Sequence, residues 1–285
     1  MSRRARIALR GAAAGVVLLI LTWYAAFHVG IVERADRSIL NGFAGLHRPR
    51  VDEITNFVAH LCDPNPYVFL AAIPVAVALI RRRPRVAVTV GLIMLGANMT
   101  TQLIKPLLAT TRSFPFTGPV IDAASWPSGH ATAVMSLALC AVIAAPARLR
   151  PTVGAAMAAF SIAVCYSFLE LGWHYPSDVL GGFLVASTWT MLGVAALYSL
   201  ESRRPARRRE VDVPGAEQVS VAEALAPVGL LVLGAMLLAA VAALLRPHAV
   251  VTYASAHGVF IVGAAAIAAL GLAIATGATL ALRRG

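Results

Sequence analysis

The stretch ELGWHYPSD, residues 170–178, sets a glutamate, a histidine and an aspartate between two apolar runs. His174 and Asp178 are four apart and would share one helix face. A neutral imidazole whose one ring nitrogen is held by a carboxylate is a nucleophile at the other. Upstream, WPSGHAT at 126–132 carries a second histidine, His130, behind a Ser-Gly turn suited to starting a helix. KPLLATTR adds Lys105 and Arg112, and Lys105 is the one lysine among 24 basic residues.

Each feature alone has a plain structural reading: cations snorkelling to headgroups, a capped helix start, a local hydrogen bond. Taken together they form a set that attracts an oxyanion carrying several negative charges, and phosphate fits best. Backbone N–H groups of Ser128, Gly129 and His130 at a helix N-terminus suit phosphate oxygens. Lys105 and Arg112 supply charge-assisted contacts. His174 is then the candidate nucleophile, Asp178 its orienting carboxylate, and His130 the acid and base that serves the departing oxygen and the incoming water.

The elements that must position these residues are apolar. Over 285 residues, 59% are apolar, 13% are charged and the mean hydropathy is +0.77, which departs from soluble composition. Runs free of Asp, Glu, Lys and Arg lie at about 11–32, 64–80, 86–104, 130–147, 151–169, 179–200, 224–245 and 247–282. Most approach the roughly 20 residues a helix needs to cross a bilayer. The expectation is an all-α polytopic membrane protein with eight spans, the first a retained helix and not a signal peptide, because its apolar run exceeds a signal core. Residues 1–200 would form a six-helix core, 201–223 a basic cytoplasmic linker, and 224–285 an appended helix pair.

The net charge of +11 is explained by topology and not by nucleic acid. Threading eight spans puts seventeen basic residues on one face and seven on the other. The positive-inside rule makes the first face, with both termini, cytoplasmic. Lys105, Arg112, His130 and His174 then emerge on the opposite face, where ionisable groups at membrane depth read as functional. The charged stretch 33–63 reads as an amphipathic segment roofing that face, with His47 and His60 as surface residues. Trp126, Trp173 and Tyr175 read as an interfacial aromatic belt. Cys62, Cys140 and Cys165 lack metal or redox spacing.

The order K-x6-R, PSGH, H-x3-D, read here as Lys105 to Arg112, Pro127 to His130 and His174 to Asp178, resembles the type 2 phosphatidic acid phosphatase superfamily, membrane branch. The resemblance covers roughly 51–200. It implies a six-helix core with its pocket near the outer membrane surface, and a reaction without metal or other cofactor through a phosphohistidine on His174. It also implies a lipid phosphate in the bilayer as substrate; polyprenyl diphosphate, phosphatidic acid and phosphatidylglycerol phosphate all remain open.

One departure bears on the chemistry. The family's third motif opens with an arginine six residues before its histidine, and here that position is Phe168. Loss of a preorganised donor costs on the order of 3 kcal/mol of transition-state stabilisation. Related phosphotransferases resemble this core without that arginine, so transfer to an alcohol competes with hydrolysis, and a non-catalytic lipid-binding protein of the same fold is the third reading. Arg112 is followed by Ser113 where the family usually has proline. Glu170 is expected at the site in one of three guises: partner of Lys105 or Arg112, ligand for a sugar or polyol headgroup, or exposed loop acid.

Overall fold

The computed structural model describes residues 2–108, 110, 121–203 and 220–283, and every regular element among them is helical. Eleven α-helices run in the order α1 (Arg3–His28), α2 (Gly30–Ala44), α3 (Pro49–His60), α4 (Pro64–Ile80), α5 (Pro84–Leu107), α6 (Gly129–Ala144), α7 (Arg150–Glu170), α8 (Pro176–Arg203), α9 (Val221–Leu245), α10 (Pro247–Ala256) and α11 (Gly258–Arg283). All eight apolar runs are helical, but they are not eight equal spans. Six helices are long and apolar enough to cross a membrane; α3 and α4 form a pair bent by 62°; and α6 is a shorter apolar helix.

The shortness of α6 follows from where it sits. Its 16 residues cover about 24 Å at 1.5 Å each, less than the hydrocarbon thickness of roughly 30 Å. Ala131 through Cys140 are buried without interruption, so α6 meets protein on every side and need not match lipid. It packs against α4, α5, α7, α8 and α11. Small polar residues tie it in: the Thr132 and Thr101 hydroxyls lie 3.0 Å apart, Ser136 Oγ is 3.1 Å from the Tyr67 hydroxyl, and Asn98 Nδ2 donates to that same hydroxyl at 3.1 Å. Such bonds hold helices together where apolar burial gives no preference over lipid.

Two segments read from sequence as peripheral are built in. Segment 33–63 folds as α2 and α3, with Asp36, Ile39, Leu40, Gly42 and Phe43 buried along one side of α2. The last helix, α11, packs on α7 and α2. Tyr166 donates to the Ala264 carbonyl at 2.6 Å, Arg150 to the Leu282 carbonyl at 2.8 Å, and Phe43 meets Phe260 edge-on. The expected linker 201–223 lies outside the described residues from 204 to 219.

Candidate active site

The site lies where α5 ends, α6 begins, α7 ends and α8 begins. Ser128 is the N-cap of α6, its Oγ accepting from the Ala131 N–H at 3.2 Å, the cap expected of a serine before a helix. The Ser128 N–H donates to the Asp178 carbonyl at 3.0 Å, which locks the turn to α8. This corrects the expectation that Ser128 offers its N–H to phosphate. Among the described residues, the N–H groups of Gly129 and His130 are the ones at this turn without a protein partner.

Two adjacent glycines permit that lock. A Cβ on Gly182 would stand 2.7 Å from the Ser128 carbonyl oxygen and 2.9 Å from the Thr132 nitrogen, and one on Gly181 would stand 2.9 Å from Pro127 and from Trp126. Only hydrogen in place of a side chain lets α8 lie this close to the turn. The Trp126–Pro127 peptide is cis.

The chain leaves α7 through a glycine cap. Gly172 has φ 70°, its N–H donates to the Leu169 carbonyl at 3.1 Å, and the Trp173 N–H donates to the Phe168 carbonyl at 2.9 Å. This pattern ends helices where a left-handed residue is available, and it swings Trp173 and His174 back over the site, so that His174 stands in the turn before α8 and not on one helix face with Asp178 as expected. Asp36 then captures the start of α8, accepting from Ser177 N at 3.0 Å and from its hydroxyl. Asp36 was not singled out from the sequence, since its partner is 141 residues away.

Three of the expected residues come together. His130 and His174 face each other with ring centroids 6.1 Å apart. Asp178 is fully buried, its Oδ2 3.5 Å from His174 Nδ1 and accepting the Tyr175 N–H at 2.9 Å. The His174–Asp178 contact has ion-pair distance without hydrogen-bond geometry, as catalytic contacts often do before substrate tightens them. Lys105 sits in the last turn of α5, its Nζ 3.8 Å from where a Cβ on Gly129 would be, so its charge reaches the PSGH turn. Arg112 lies outside the described residues.

The structure adds a residue the sequence reading missed. Asp63, between α3 and α4, has Oδ1 3.0 Å from His130 Nε2. Each histidine of the pair thus has a carboxylate at its back. Spacing could not reveal this one, because 67 residues separate the partners.

The walls are aromatic. Phe168, at the position of the family's arginine, is fully buried with its ring 5.3 Å from His174 and 5.9 Å from His130. Trp173 lies 5.5 Å from His130 and 5.1 Å from His60. Trp126 and Tyr175 are buried, so for these two the belt reading gives way to one in which they pack inside the bundle, while Trp173 is half-buried.

Glu170 also departs from expectation. It is the last residue of α7, buried, with Oε1 accepting from His47 Nδ1 at 2.7 Å. Among the described residues no contact joins it to Lys105, and it is neither a loop acid nor exposed. His47, read as an unpartnered surface residue, holds both Glu170 and, at 3.3 Å, Asp52.

The fold and site define a multi-pass helical membrane protein with a histidine pair at one end of the bundle. Residues 86–204, somewhat less than half the chain, match the model of the PAP2 superfamily. That stretch contains all three motifs, in agreement with the resemblance they carry. Among solved structures it is similar to a transmembrane PAP2-type phosphatidylglycerolphosphate phosphatase from Bacillus subtilis, at 20% identity and a TM-score of 0.54. That match covers 70% of this chain and 99% of the other, and at this identity it speaks for the fold. A search of curated proteins finds no match.

Proposed function

We propose that the protein hydrolyses a phosphate ester or diphosphate of a membrane lipid through a phosphohistidine on His174, at the extracytoplasmic side of the membrane. The observation that carries this reading is the facing of His130 and His174 across 6.1 Å, each backed by a carboxylate, beside the Lys105 ammonium.

With Nδ1 directed at Asp178, the Nε2 lone pair of His174 attacks phosphorus. The P–N bond forms as the P–O bond to the lipid breaks. His130, its Nε2–H on Asp63, carries the exchanged proton on Nδ1 and gives it to the leaving oxygen. It then takes a proton from water, which attacks the phosphohistidine and returns His174 with free phosphate. Lys105 and the Gly129 and His130 N–H groups stabilise the charge on the equatorial oxygens. No step requires a metal.

Phe168 supports a second reading, headgroup transfer. An apolar ring beside the nucleophile gives no clamp on phosphate, and both outcomes use the same intermediate. Detergent-purified protein given radiolabelled lipid phosphates, with and without an alcohol acceptor, separates them. Hydrolysis yields free phosphate and an acid-labile, alkali-stable phosphoenzyme; transfer moves label to the alcohol. Binding without either product marks a non-catalytic member of the fold. His174→Ala should abolish turnover while the protein stays folded, and persistent turnover in that variant refutes the nucleophile.

A further inference from the structure

We infer that His47, Asp52 and Glu170 form a divalent-cation site, of the zinc class, that clips the α2–α3 turn to the end of α7. One ligand atom from each residue can be chosen so that all lie within 4.8 Å of one another. His47 Nδ1 stands 2.7 Å from Glu170 Oε1 and 3.3 Å from Asp52 Oδ1. Zinc bonds to nitrogen and oxygen of about 2.0–2.2 Å place tetrahedral ligand atoms roughly 3.3 Å apart, so the cluster needs only small side-chain shifts to accept the ion.

The second observation is the buried carboxylate itself. Glu170 is 4% exposed, and its Oε2 is buried with no hydrogen-bond partner. An ionised oxygen removed from water without a partner is costly. It also sits in the last turn of α7, where the helix dipole disfavours negative charge. A single proton on Nδ1 serves one of the two carboxylates and leaves Oε2 bare. A divalent ion in that proton's place serves the nitrogen and both acids at once, and a borderline cation matches this mixed donor set.

The neighbouring cation does not fill the role. The Arg48 guanidinium is turned onto the carbonyls of Gly45 and His47, while its backbone N–H meets Asp52 Oδ1 at 3.0 Å. No ion pair between Arg48 and a carboxylate occurs among the described residues. His47 and Asp52 remain partly open to solvent, with side-chain exposures of 53% and 35%, which gives an ion an entry path and positions for water. The ion takes no part in the phosphoryl step; it fixes the roof to the helix that delivers His174.

The test is isothermal titration of chelator-stripped, detergent-solubilised full-length protein with zinc chloride. The wild type should take up one zinc per chain, and His47→Ala and Asp52→Ala should each weaken that uptake at least tenfold. Both substitutions are at partly exposed positions, so folding, checked by circular dichroism, should survive them. Absence of zinc uptake by the wild type, or uptake indifferent to both substitutions, overturns the site. Neither result depends on enzymatic activity.

Discussion

At the scale of single residues, the candidate site pairs two histidines with different supports. Asp178 is buried and fixed by backbone, whereas Asp63 is about one-third exposed and comes from a connection between helices. Asp63 touches no reacting atom in the proposed mechanism, so it acts by orienting His130. Asp63→Asn should lower kcat about tenfold, the lower end for a partner that aligns a functional imidazole. KM should stay near the wild-type value, because Lys105 and the α6 turn still bind phosphate. Steady-state kinetics separates the two constants, and an unchanged kcat with a raised KM would assign Asp63 to binding. Phe168→Arg probes the opposite wall. A guanidinium beside both imidazoles should lower the inhibition constant for free phosphate about tenfold, by charge-assisted bonds. It should also reduce thermal stability when phosphate is withheld, since a buried charge then lacks its partner.

At the scale of elements, the histidine pair is a product of helix ends held in register. Gly181 and Gly182 let α8 lie close on the first turn of α6. Gly182→Ala drives a methyl against the Ser128 carbonyl, the Ala131 Cβ and the Thr132 nitrogen, mostly backbone that cannot rotate away. The expected cost is about 1–3 kcal/mol of stability, with a loss of turnover out of proportion to it because Asp178 moves away from the turn. Gly229→Ala is the control: a Cβ there meets nothing within 4 Å, and melting temperature and activity should not change. These elements were partly legible in the sequence. Proline and serine marked the start of α6, and the three motifs named His130, His174, Asp178 and Lys105 because local spacing encodes them. The contacts of Asp63 with His130 and of His47 with Glu170 were hidden, since they join segments 67 and 123 residues apart. Trp126 and Tyr175 were misread for a related reason: depth in a membrane distinguishes headgroup level from bundle interior poorly at a helix end.

At the scale of the whole molecule, charge and chemistry occupy opposite ends of the bundle. Arg81, Arg83 and Arg150 are near enough for their charges to act on one another, and Arg85 pairs with Glu201 at 3.6 Å. These residues stand where α4 ends, α5 and α7 begin, and α8 ends. The histidine pair stands at the other ends of α5, α7 and α8. On the proposed function, a cytoplasmic basic face carries the site to the outside, where a lipid phosphate would enter from the outer leaflet and phosphate would leave to bulk water. This orientation is testable without substrate. In a background with Cys62, Cys140 and Cys165 replaced by alanine, a cysteine at the exposed position Asn56 in α3 should react with a membrane-impermeant maleimide in intact cells. One at the exposed position Arg148, before α7, should react only after lysis. The reverse pattern would put the histidines at the cytoplasmic surface, and the basic clusters would then need an explanation other than topology.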